Sequence, residues 1–162
     1  NIRKKTKKNL LILCNINDYK PFINILNKCN LSNFNIYLLP HPYNRSKTIA
    51  DFKKNFLNRF SIDNSLSRLN LINKANYVIF GSSSLGLQLS IKKKNVIRIF
   101  DKKEIPTCDF NQEIPTTNNY KTVQKFLKTK NIKKNPKILI KNYFYKYDNK
   151  SSMRFVDKLK SI

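Results

Sequence analysis

The only histidine of the chain, His41, stands between Pro40 and Pro42 directly after the apolar stretch Phe34 to Leu39. The only two glycines, Gly81 and Gly86, flank the run Ser82-Ser83-Ser84. Both sets of residues suit anion chemistry. Prolines on either side restrict the backbone around the imidazole, which favours a fixed hydrogen bond to a phosphate or a proton delivered to a leaving group. A Gly-Ser-Ser-Ser turn that opens a helix offers hydroxyl caps and unpaired N–H groups at the positive end of the helix dipole, where phosphates bind. An ordinary capped strand-to-helix turn fits the same residues. Gly81 is expected to supply the positive φ of a sharp exit from a sheet, and two glycines so close together point to a close approach of backbone.

Other residues carry weaker signals. Gly81, together with Gln112 and Glu113 in the long connection Asp101 to Asn118, is a candidate nucleotide contact, and Glu104 shares that connection. Solvated loop acids are the plainer reading of both glutamates. Asp148 reads as a turn or capping residue before Ser151, and Tyr143, Phe144, Tyr145 and Tyr147 as packing aromatics rather than a base-stacking platform. Cys14, Cys29 and Cys108 are odd in number and lack metal-ligand spacing, so reduced thiols are expected. No histidine or carboxylate cluster supports a metal site.

The elements that must position these groups alternate. Asn9 to Asn15 has the length and apolarity of a buried parallel strand. Asn17-Asp18 is expected to cap a helix from Tyr19 to Lys28, with Phe22, Ile23, Leu26 and Cys29 facing inward. Phe34 to Leu39 makes the next strand, so the first forty residues form a β-α-β unit with a right-handed crossover. Ile49 to Leu57 suits a short helix with Phe52 and Phe56 inward, and Phe60 to Ile62 a short strand. Asp63 is then expected to cap a helix over Ser65 to Asn73 that buries Leu66, Leu69 and Ile72. Tyr77 to Phe80 is the strand that enters the glycine and serine turn. Leu85, Leu87, Leu89 and Ile91 alternate as a strand would, but the basic Lys92 to Lys94 reads as the last turn of a helix, which is preferred. Val96 to Phe100 follows as a strand, Tyr120 to Lys130 as an amphipathic helix, and Ser151 opens a last one. The pattern predicts one α/β domain over residues 1–162, with four to five mostly parallel strands, helices on both faces and a C-terminal helix packed across. His41 and the serine turn both follow strands, so both are expected at the carboxyl edge of the sheet, where ligands of open α/β folds bind.

A net charge of +24 suggests a nucleic-acid partner. The lysines, however, are spread over element ends and loops in a chain also rich in asparagine and isoleucine. A general preference for anions is the part of that signal that survives, covering nucleotides, phosphates and the headgroups of an inner membrane face. No apolar run approaches the roughly 20 residues that a bilayer span needs.

The strand ending in His41-Pro42, the stretch from Asp63 to Ser84 and the terminal segment Tyr143 to Leu159 together resemble the donor-binding, C-terminal half of GT-B glycosyltransferases of bacterial surface carbohydrate synthesis. The nearest likeness is to the sialyl-, polysialyl- and Kdo-transferases, which share an HP motif and a serine pair; the outline also fits nucleotide-sugar 2-epimerases. The resemblance implies a Rossmann-like fold and a CMP- or UDP-sugar donor, CMP favoured, with no further cofactor. It implies contact of His41 and Pro42 with the nucleotide phosphate, and a phosphate grip by Ser83 and Ser84, with Ser82 as the alternative register and Gly81 beside them. The acidic-Gly motif that carries the catalytic group in that family is absent from this chain. A chain beginning at Asn1 directly before a strand is therefore expected to be a fragment whose N-terminal acceptor domain is missing, cytoplasmic or peripheral at the inner membrane, and inactive alone. A basic nucleic-acid-binding module is the competing expectation.

Overall fold

The computed structural model describes residues 7–15, 18–41, 49–50, 52, 54–55, 67–92, 95–100 and 114–129. Five strands, β1 (Lys8–Cys14), β2 (Phe34–Pro40), β3 (Tyr77–Phe80), β4 (Asn95–Ile99) and β5 (Thr116–Thr117), form one sheet in the order β2-β1-β3-β4-β5, and every pairing is parallel. Among the described residues the sheet is accompanied by helices α1 (Tyr19–Leu26), α2 (Arg68–Lys74), α3 (Ser84–Ile91) and α4 (Tyr120–Lys128). This is the expected Rossmann-like α/β domain.

The sheet is covered on both faces, which is why β1 and β3 read as unbroken apolar runs instead of alternating ones. Leu10, Ile12 and Cys14 of β1 point into a core shared with Phe22 and Leu26 of α1 and Val123, Phe126 and Leu127 of α4. Leu11 and Leu13 point the other way, to Leu71 of α2 and Leu87, Leu89 and Ile91 of α3. Phe52, in the helical residues around position 52, is fully buried in the first of these cores. The edge strand β2 alternates, with Ile36 and Leu38 buried and Tyr37 and Leu39 only partly so.

Helix α3 resolves the ambiguity of its leucine spacing. It is buried on most of its circumference, and its exposed residues, Ser84 and Gln88 with the following Lys92, form a single stripe at steps of four. Apolar residues therefore fall at almost every other position, and alternation is not diagnostic. Ser90 is fully buried, and among the described residues its hydroxyl has no hydrogen-bond partner.

Several expectations are corrected. The cap of α2 is Ser67, whose hydroxyl accepts from the Asn70 N–H at 3.3 Å. Leu71 is the buried residue of this helix, and Leu69 is 64% exposed. Two residues differ by about 200° on a helix, so burying Leu71 turns Leu69 outward. Thr116–Thr117 is a strand within the expected long connection, held to β4 by bonds from Arg98 N to Pro115 O and from Phe100 N to Thr117 O; two residues have no periodicity to read. Pro42, Glu104, Cys108, Gln112, Glu113, the strand at Phe60 to Ile62, the Asp63 cap, the Tyr143 to Tyr147 aromatics and the last helix lie outside the described residues.

Candidate functional site

The register brings the ends of three strands level. Leu13 pairs with both Leu39 and Phe80, so Asn15, His41 and Gly81 emerge within one residue of each other along the carboxyl edge. The backbone N–H of His41 still bonds the Cys14 carbonyl at 2.9 Å, which ties the start of the histidine loop to the central strand. From β1 the chain crosses to β2 on one side, and from β3 to β4 on the other. The gap between the ends of β1 and β3 is thus the topological switch point, where open α/β sheets leave a crevice.

A cleft of about 300 Å³, its open mouth included, occupies that crevice. Leu13, Cys14, Leu39 and Leu85 line it with apolar surface, and Asn15, His41, Arg68 and Ser83 supply its polar groups. The sequence-predicted residues His41 and Ser83, from separate loops, therefore share one cavity. Ser84 does not line it and lies on the solvent stripe of α3. Ser83 occupies the N-cap position of α3, but its hydroxyl makes no capping bond; its carbonyl accepts from the Gly86 N–H at 3.0 Å. Among the described residues Arg68 has no hydrogen-bond or ion-pair partner.

Ser82 faces inward. Its N–H donates to Asp18 Oδ2 at 3.2 Å, its hydroxyl to Asp18 Oδ1 at 3.1 Å, and Asn15 Nδ2 donates to that hydroxyl at 3.2 Å. Asp18 Oδ2 also takes the Asn15 N–H at 3.0 Å. Asp18 precedes α1 as expected but does not cap it with its side chain. Its backbone is already helical, and the buried carboxylate reaches across to the β3-α3 turn. From the other side of the turn, buried Arg98 donates its Nε–H to the Gly81 carbonyl at 3.0 Å, and its guanidinium lies 5.1 Å from the Phe100 ring centre.

The glycines serve close packing, not a positive φ. A Cβ at Gly81 would meet the Asp18 carboxyl group, and one at Gly86 would meet the Phe80 ring; neither residue has left-handed backbone. The Cys14 thiol, which points into the core shared with α1 and α4, is pushed far up by burial and further by the Asp18 carboxylate, so it stays protonated at neutral pH. Among the described residues no three metal-ligating side chains come together.

Hydroxyl, imidazole and guanidinium thus surround a cavity that opens at a helix start, and the Asp18 carboxylate is held by its own three donors. Such a cleft can hold an anionic ligand. Among the described residues no carboxylate lines it as a base.

No protein-family model and no curated protein matches the sequence. Solved structures do. The fold resembles that of the wall teichoic acid polymerase TagF. A TagF histidine-to-asparagine variant after a 15-minute soak with CDPG aligns over 96% of this chain at TM-score 0.57 and 15% identity. The 30-minute soak gives 0.55 at 16%, and TagF itself 0.51 at 18%. The chain spans 41 to 43% of the length of those TagF chains.

Sequence reasoning missed Asp18, Asn15, Arg68 and Arg98 as parts of the site. Asp18 and Asn15 follow the carboxyl end of the most apolar strand, and that position was the signal available. Arg98 and Arg68 had none, because their relation to the turn is purely spatial.

Proposed function

We propose that the chain is the donor-binding half of a GT-B glycosyltransferase that builds a cell-surface polymer, and that its cleft holds the phosphate of a nucleotide-activated donor. The observation that carries this reading is the meeting of His41 and Ser83 in one cleft at the switch point of the sheet. The likeness to TagF supports it, as does a span of less than half of that polymerase. Ser83 Oγ–H and His41 donate to phosphate oxygens, Arg68 offsets their charge, and the apolar floor displaces water. The group that activates the acceptor is supplied by the other half of the enzyme. The sialyl, polysialyl and Kdo subtypes belong to this reading as its finer form, with CMP-activated donors favoured over UDP-activated ones, a cytoplasmic site and an anionic inner-membrane surface as neighbour.

Titration calorimetry with CMP, UDP, CDPG and inorganic phosphate tests it. A nucleotide is expected to bind more tightly than phosphate, and His41→Ala to weaken it about 10- to 100-fold, the loss of one or two charge-assisted hydrogen bonds. The net charge of +24 favours a second reading as a nucleic-acid binder. That reading requires an affinity for any polyanion that falls steeply with salt and is indifferent to His41→Ala.

A further inference from the structure

Three serines stand in the turn, and the structure treats them differently. Ser82 is engaged by Asp18 through both its N–H and its hydroxyl. Ser83 lines the cleft, and Ser84 is on the solvent stripe. The Asp18 carboxyl group sits where only a glycine at position 81 admits it, and Arg98 holds the Gly81 carbonyl from the opposite side. The turn is therefore gripped by two buried side chains of opposite charge, from β4 and from the residue before α1.

We infer that Asp18 is a positioning residue of the anion cleft: by binding Ser82 it takes that serine away from the ligand and sets Ser83 as the hydroxyl that meets the phosphate. The inference rests on the donor-site reading above. A carboxylate is acceptor-only, and its two oxygens suit three donors. Asparagine at position 18 keeps one acceptor oxygen and turns an NH₂ toward donors, so Asn15 N–H, Ser82 N–H and Ser82 Oγ–H can no longer all be satisfied. Charge alone predicts the opposite result. Removing a negative group next to an anion site strengthens anion binding. The sign of the effect separates the two.

The test is nucleotide binding by the full chain, with CMP, UDP and CDPG as probes, for wild type, Asp18→Asn, Ser82→Ala, Asp18→Asn/Ser82→Ala and His41→Ala. Asp18→Asn is expected to weaken binding about tenfold, and Ser82→Ala two- to fivefold. In the double variant Ser82→Ala adds no further loss, because Ser82 acts only through Asp18. Amide hydrogen exchange at Ser82 to Gly86 should quicken about tenfold in Asp18→Asn, with exchange in β1 unchanged. Tighter or unchanged binding by Asp18→Asn, or fully additive losses in the double variant, overturns the inference while leaving the donor site intact. A purely structural carboxylate lowers the melting temperature and leaves the affinity of the folded molecules alone, which also overturns it. If Asp18→Asn does not fold, Ser82→Ala decides: a loss as large as that of His41→Ala makes Ser82 a direct contact and refutes the assignment. A wild-type chain without nucleotide affinity, or one indifferent to His41→Ala, instead refutes the donor-site reading itself.

Discussion

Gly86→Ala gives a sharp test of how closely α3 sits on the sheet. In an open helix the change stabilises by about 1 kcal/mol, since alanine loses less backbone entropy than glycine. Here the added Cβ would fall on the ring of Phe80, which is fully buried and has no room to swing aside. Overpacking a tight core costs about 1 to 3 kcal/mol, and contact with several ring atoms argues for the upper half of that range. The expected net effect is a destabilisation of about 1 to 2 kcal/mol, or a melting temperature lower by about 2 to 8 °C for a chain of this size. Urea denaturation with calorimetry measures it. Phe80→Leu, which removes ring atoms at the contact, should couple to Gly86→Ala by at least about 1 kcal/mol, so that the double variant is more stable than the sum of the two changes implies. A Gly86→Ala chain that is more stable than wild type, or two changes that simply add, would show that helix and strand do not pack as closely as described.

Two further outcomes follow from burial. Ser90→Ala removes a buried hydroxyl without a partner and improves helix propensity, so it should raise stability by about 1 kcal/mol; a loss seen by denaturation would mean the hydroxyl is bonded after all. Burial pushes the Cys29 thiol from the ordinary 9.0 up to about 11. The folded chain then holds a proton that the unfolded chain releases, so this contribution is complete below about pH 9 and is lost as pH rises toward 11, at up to about 1.4 kcal/mol per pH unit. Stability measured against pH should fall less steeply in that window for Cys29→Ala than for wild type; parallel curves would refute the shift.

The linear order of residue types was enough to settle the layered α/β plan. Unbroken apolar runs at Leu10 to Leu13 and Tyr77 to Phe80 can be buried only where helices cover both faces, and helical patterns between such strands require parallel crossovers. It was also enough to put His41 and the serine turn on one edge, because both follow strands of the same sheet. Registers of short elements were beyond it. Leu69 and Leu71 are equally apolar, and only packing against the sheet chose between them. The same holds for the site. Asp18 and Ser82 lie far apart in the chain, and an aspartate before a helix satisfies every local rule for a cap. Its bond to Ser82 exists because parallel pairing of β1 with β3 sets the two loops side by side. A carboxylate chooses among donors by distance and direction in space, and these are properties of the folded sheet, which no local pattern encodes.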